Sequence, residues 1–399
     1  MPIQSQASGH RDPRRYLITY YAALVAVGVM VAIQGPALPT LALHTHTTAS
    51  QISMIFSLRA AGYLCGALVS GRILDRFPGH PLMAWAMLLA LLSLACIPLA
   101  STLLLLALAV FVMGLADGTL DVSTNSLLTW VYGSKVGPYM NGLHFAFGAG
   151  AFLTPMLVAG VWKASGEIHW AYWISALAML PLLIVFLRLP SPTHPSHADR
   201  QAAAYKAPWK LMVMILLLFF AYGGSEAAFG NWIYSYALAS KMASETQAAY
   251  LTSVFWGCLT LGRLAGIAVA LRVSVNRVLM VDAIGAVAAL GLIFLMPRSE
   301  TALWLGTAGT GLFMASVFPT LLAFAGQRLS PTGRLSGGLT SRLFIGSSLG
   351  AILIPWLIGQ GFERLGPLSA IVVIFAAMLG MGLVLALLLW PRAQNSYRQ

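Results

Sequence analysis

Long apolar runs separated by short polar stretches recur from one end of this chain to the other, and their length carries the first prediction. A helix needs about 20 largely apolar residues to cross the hydrocarbon core of a bilayer. On that rule the sequence predicts twelve spanning helices, at 16–39, 50–71, 81–99, 102–130, 137–162, 169–189, 209–238, 247–271, 277–297, 302–327, 334–360 and 367–390. An even number of spans puts both ends of the chain on one side. The longest interruption, 190–208, is rich in proline and small polar residues and reads as a linker. The predicted fold is therefore an all-α integral membrane protein: a tail (1–15), a six-helix bundle (16–189), a linker (190–208), a second six-helix bundle (209–390) and a second tail (391–399).

The halves repeat one another. Gly150-Ala-Phe-Leu-Thr-Pro155-Met-Leu in span five matches Gly350-Ala-Ile-Leu-Ile-Pro355-Trp-Leu in span eleven. Span eleven is thus the counterpart of span five. Duplicated halves joined by a central linker are a transporter architecture, in which the halves rock about a site near the bilayer midplane.

Composition agrees with the pattern. Charged residues are 9% of the chain and AVILMFWYC 59%, against about 25% charged residues in a soluble domain. The net charge of +12 raises the question of nucleic acid. The basic residues form no patch, however; they sit in short loops, where charge sets topology, and nucleic-acid binding is not expected. Sixteen Lys and Arg flank the spans on the side of the termini, against Lys163, Lys241, Arg298 and Arg364 on the other. By the positive-inside rule both termini are expected in the cytoplasm, in a plasma membrane of the bacterial inner-membrane type. Residues 1–15 lack the apolar core of a removable signal, so the first span is expected to direct insertion. Cys65, Cys96 and Cys258 fall within apolar spans without paired spacing, which argues against disulfides and zinc. His194 and His197 read as solvated linker residues.

Ionisable residues inside the spans carry the candidate chemistry, because each is costly in an apolar helix unless it faces a bundle interior or a water-filled path. Asp117, Asp121 and Asn125 are spaced i, i+4, i+8 and stack on one face of span four. Asp121 is the expected coupling carboxylate, with Asp117 as proton relay or hydrogen-bonding residue. His144 of span five lies at similar depth, and an imidazole beside a carboxylate can share a proton near neutral pH. Arg59 in span two needs an anion, whether Asp117, Asp121, Glu226 or the solute itself. Glu226 in span seven is a candidate for a hydroxyl or a cation. Asp282 in span nine reads as structural, with Arg263, Arg272 or Arg277 as partner. Gln34, Asn125 and Asn141 are candidate hydroxyl partners. Tyr222, Trp232, Tyr236 and Trp256 are candidate platforms for a sugar face, interfacial aromatic belts being the alternative.

Five stretches carry a family resemblance. Gly71-Arg72-Ile-Leu-Asp75-Arg76-Phe-Pro-Gly79-His80, after span two, resembles the loop motif of the major facilitator superfamily, with His80 and Pro81 in place of the usual closing basic pair. Leu-Asp121-Val-Ser-Thr-Asn125, Leu-His144-Phe, Ser57-Leu-Arg59-Ala-Ala-Gly62-Tyr63 and Tyr222-Gly-Gly-Ser-Glu226 through Tyr236 resemble its fucose permease and sodium-dependent glucose transporter branch. The resemblance implies a gating role for Arg72, Asp75 and Arg76, with a weaker echo in Gly262-Arg263 and Arg272; Arg342, like Arg59, needs an anion, and its place near the cytoplasmic end also allows a gate pairing. The resemblance also implies proton-coupled sugar uptake through a carboxylate and an asparagine, here Asp121 and Asn125. A second carboxylate of that branch, in span one, is replaced by Gln34.

The expected function is secondary transport by alternating access: symport of a sugar or similar small polar solute with a proton, or alternatively sodium. The chain is expected to act as a monomer in the lipid bilayer, with no cofactor beyond the transported H+ or Na+ and no metal. Rival readings are an exporter of amphiphilic or drug-like compounds and a non-transporting receptor or scaffold. An enzyme is not expected, because no nucleophile–base pair, metal cluster or phosphate loop is present.

Overall fold

The computed structural model describes residues 13–193, 208–329 and 337–390, and the regular elements among them are all helical. The first half comprises α1 (Pro13–Ala32) and α2 (Gln34–His44), which share the first span, then a short α3 (Ala49–Ile52) leading into α4 (Met54–Leu74), α5 (Gly79–Cys96), α6 (Leu103–Tyr132), α7 (Gly137–Ser165) and α8 (His169–Arg188). The second half comprises α9 (Trp209–Ala239), α10 (Glu245–Ala270), α11 (Val275–Leu295), α12 (Glu300–Met314) and α13 (Val317–Leu329), which share the tenth span, α14 (Gly337–Leu365) and α15 (Ser369–Leu389). Twelve segments are long and apolar enough to cross a membrane, each over a predicted run. His194 and His197 lie outside the described residues.

Proline explains both divided spans. Pro36 has no N–H for the Ala32 carbonyl, where α1 ends, and Pro319 has none for the Ala315 carbonyl, just beyond α12. Glycine explains how closely the helices approach. A Cβ on Gly114 or Gly118 of α6 would overlap the carbonyl of Arg59 or Tyr63 of α4. The repeat is visible in the same terms: Gly150 of α7 lies against the Val25 carbonyl of α1, and Gly350 of α14 against the Phe220 carbonyl of α9.

The halves meet on the face away from the chain ends. The Ser50 amide donates to Glu363 Oε2 at 3.1 Å and its hydroxyl to Gln360 Oε1 at 2.6 Å, while Gln360 Nε2 donates to the Ser50 carbonyl at 3.1 Å. Deeper in, the Ser57 hydroxyl donates to the Ile352 carbonyl at 2.7 Å, and Phe56 meets Trp232 edge-on at 5.8 Å. On the other flank the Ser253 hydroxyl donates to the Phe152 carbonyl at 2.8 Å. Toward the face that bears the chain ends the halves part. A central cavity of about 740 Å³ runs there, reaching Ala270, Leu271 and Val273 at the end of α10.

Candidate functional site

Four helices of the first half and five of the second wall this cavity, and the predicted polar residues separate into those that reach it and those that do not. Asp117 and Asp121 of α6 sit one helical turn apart, and so do Arg59 and Tyr63 of α4. Because Gly114 and Gly118 draw α4 onto α6, the two pairs fall into register. Arg59 is bound to Asp117, and the Tyr63 hydroxyl donates to Asp121 Oδ2 at 2.7 Å. Asn125 Nδ2, a further turn along, donates to Asp121 Oδ1 at 2.8 Å. The stack on span four is thus a ladder of two rungs, one an ion pair and one a carboxylate held by uncharged donors.

Burial distinguishes the rungs. Asp117 is 1% exposed and its Oδ1 has no partner among the described residues. Asp121 is half-buried on the cavity wall, held by a hydroxyl and a carboxamide and by no guanidinium. Arg59, whose anion was left open by the sequence, pairs with Asp117 and also lines the cavity.

The second half contributes a matching pair. Arg263 of α10 donates to Glu226 Oε1 of α9 at 3.1 Å, with the buried Tyr222 beside both. Arg263 was expected at the gate; it instead lies on the cavity wall as the counter-ion of Glu226. His144 of α7 is exposed to the cavity, close enough to Asp121 and to Arg263 to feel both charges. Asn141, one turn earlier, also lines the cavity. Trp256 presents its ring to the same space, and its Nε1 is buried without a partner among the described residues.

Other predicted residues are placed elsewhere. Trp232 is 1% exposed, donates Nε1 to the Pro355 carbonyl at 3.1 Å and packs on Phe56 and Phe362. It belongs to the seal between the halves, and neither a cavity platform nor an interfacial belt describes it. Tyr236 is likewise 1% exposed and away from the cavity wall. Gln34, fully buried at the start of α2, has both amide atoms unpartnered among the described residues and is not part of the cavity wall. Among the described residues none of the expected arginines pairs with Asp282: Arg263 is engaged with Glu226, and Arg272 and Arg277 are exposed.

The predicted gate residues Arg72, Asp75 and Arg76 are exposed at the end of α4, and Arg342 is exposed on α14. The departure at the end of the loop motif has a structural reason. His80 is fully buried: its Nδ1 lies 2.9 Å from the Leu189 carbonyl and its Nε2 2.9 Å from the Tyr20 hydroxyl. Its amide donates to Ser191 Oγ at 2.9 Å, so this residue ties the start of the linker to the first half.

Sequence reading passed over Tyr63 as the partner of Asp121, and Ser50, Gln360 and Glu363 as the seal. The matching four-residue spacings of Arg59 with Tyr63 and Asp117 with Asp121 were the available signal for the first. The seal joins residues about 310 positions apart and had no local signal.

Comparison with known proteins follows the same geometry. The pattern of the Major Facilitator Superfamily matches residues 20–351. The chain is 29% identical to the mouse protein named sodium-dependent glucose transporter 1A, over 85% of this chain and 88% of that one. It is 24% identical to human major facilitator superfamily domain-containing protein 4A, over 90% and 89% respectively. Among solved structures, the nucleoside transporter NupG superposes with a TM-score of 0.73 at 14% identity, over 94% of this chain and 98% of that one, which establishes likeness of fold.

Proposed function

The chain belongs to the major facilitator superfamily and is a multi-pass membrane transporter rather than an enzyme, and from that premise we propose that it carries a small, uncharged polar solute of the sugar class together with a proton taken at Asp121. The observation that carries this reading is the distribution of charge around the cavity. Arg59 is neutralised by Asp117 and Arg263 by Glu226, while Asp121 faces the cavity with neutral partners only. Among the described residues that line the cavity, both arginines are paired with carboxylates, and Asp121 is the carboxylate left to take a cation. Hydroxyl-bearing solutes fit the remaining groups: Asn141 and His144 for hydrogen bonds, Trp256 Nε1 as a buried donor awaiting an acceptor, and the Trp256 ring for the apolar face. The mouse relative's printed name, sodium-dependent glucose transporter, supports the solute class and makes sodium the competing ion.

The ladder suggests how a proton acts. Each oxygen of Asp121 accepts one side-chain hydrogen bond and keeps a second lone pair for a proton, which makes the carboxyl a poorer acceptor and so weakens its hold on Tyr63 of α4 and Asn125 of α6. The proton also removes a charge from the space that must close when the halves rock. The positive-inside pattern puts the open face in the cytoplasm, so the described conformation is the one that releases its load inward. Binding drives the cycle only through different affinities for the two conformations.

Uptake into reconstituted vesicles tests the reading. An inward proton gradient is expected to drive accumulation of a monosaccharide; Asp121→Asn is expected to abolish accumulation while solute exchange persists. Accumulation driven by sodium and indifferent to pH would replace the proton, and unaltered accumulation by Asp121→Asn would remove the residue's role.

A further inference from the structure

The gap between α12 and α13 holds a second group of oxygen atoms that the cycle above leaves unused. Pro319 deprives the Ala315 carbonyl of its usual amide donor, and the helix opens there. Asp282 of α11 lies at this opening, 7% exposed, accepting from the Ser316 hydroxyl at 2.5 Å. Ser316 also lines the central cavity, as do Phe318, Pro319 and Thr320 after it. Helix α10 reaches the opening because it presents glycine: a Cβ on Gly262 would come 2.6 Å from the Ala315 Cβ, and one on Gly266 would come 3.1 Å from the Ser316 Cβ.

No cation of the protein balances this carboxylate among the described residues. Arg263 of α10 is bound to Glu226, and Arg272 and Arg277 are exposed. Arg328 of α13 donates to the Leu388 carbonyl at 3.3 Å and lies over the Phe324 ring. Glu300 is the only charged residue of α12, at its far end, and α15 has none. An ionised carboxylate is costly in such surroundings unless something positive joins it. Carbonyls freed at a break within a spanning helix are a recurrent means of holding Na+ or H+ in transporters.

We propose that Asp282, Ser316 and the Ala315 carbonyl form a site for a monovalent cation, sodium or a proton, separate from Asp121. Occupancy fixes the geometry of the opening, and the opening carries a stretch of cavity wall, so the cation sets the shape of the solute path from the second half. The inference stands on the geometry of α11, α12 and α13 and does not require Asp121 to be the proton site.

Thermal unfolding of the purified full-length chain in detergent tests it, in two arms. In one, sodium chloride replaces choline chloride at fixed pH and ionic strength; in the other, pH is raised at fixed sodium. A sodium site is expected to raise the melting midpoint as sodium increases. A proton site is expected to lower it as pH increases, since the bare carboxylate is left without a partner. Asp282→Asn is expected to abolish the sodium response, or the corresponding part of the pH response, whereas Asp121→Asn retains it. Ser316→Ala is expected to raise the half-saturating sodium concentration about tenfold, or to move the pH midpoint by about one unit. The proposal is overturned if the wild type responds to neither ion, or if Asp282→Asn responds as the wild type does. If Asp282→Asn does not fold, an unchanged half-saturation and pH midpoint in Ser316→Ala overturns it instead. A response lost in Asp121→Asn and kept in Asp282→Asn assigns the cation to the first half and leaves the transport reading standing.

Discussion

At the scale of single residues, the two rungs of the α4–α6 ladder make opposite predictions. Arg59 and Asp117 are both largely removed from water, so deleting one leaves the other charge buried and uncompensated. Arg59→Met or Asp117→Asn alone is expected to cost about 3–5 kcal/mol, and the double variant Arg59→Met with Asp117→Leu to recover most of it, because both desolvation penalties then disappear. Melting midpoints of the two single variants and the double variant check this. Asp121→Asn keeps an oxygen for the Tyr63 hydroxyl and is expected to change stability by under about 1 kcal/mol while altering transport. Trp256→Phe removes the unpartnered Nε1 and keeps an aromatic ring, though a smaller one. The expected result is a rise in the solute's KM of about tenfold from loss of the donor, together with the modest drop in melting midpoint that a smaller buried ring brings.

Between elements, glycine sets the distances on which that chemistry depends. Gly118 lies under the Tyr63 carbonyl, and a side chain there pushes α4 from α6 and pulls Tyr63 from Asp121. Gly118→Val is expected to lower stability by about 1–3 kcal/mol, as overpacking does, and to impair transport as well. Gly71, at the start of the loop motif, has nothing near enough to meet a Cβ. Gly71→Ala is therefore expected to be neutral or to stabilise α4 by about 0.5–1 kcal/mol. Parallel melting and uptake measurements on the two variants separate the packed glycine from the free one.

Considered as a whole, the molecule is shut on one face and open on the other, and the shut face is held by few polar contacts. Ser50, Gln360 and Glu363 provide the outermost of them, at the surface, where hydrogen bonds contribute about 0.5–1.5 kcal/mol each. Removing two such side chains, Gln360→Ala with Glu363→Ala, is expected to shift the balance toward the conformation open on this face by about tenfold or more. Ser57, behind the seal, reports the change: a Ser57→Cys probe, in a background freed of Cys65, Cys96 and Cys258, is expected to label faster from the sealed face in the double variant. Equal labelling would place the closing energy in the Phe56–Trp232 contact and the α7–α10 packing.

The amino-acid sequence by itself determined the number and limits of the spans, the duplication of the halves and the acidic face of span four. These rest on local quantities: the length of an apolar run, the 3.6-residue helical period and the cost of an ionisable group in hydrocarbon. Only the tertiary structure decided that Arg59 serves Asp117 and Arg263 serves Glu226, that Trp232 seals the halves while Trp256 faces the cavity, and that Asp282 has no counter-ion among the described residues. Those outcomes depend on the rotation and approach of helices distant in sequence, fixed by contacts such as Gly114 on Arg59 and Gly262 on Ala315. A charge inside a span announces its need for a partner in one dimension, but the partner is chosen by register in three.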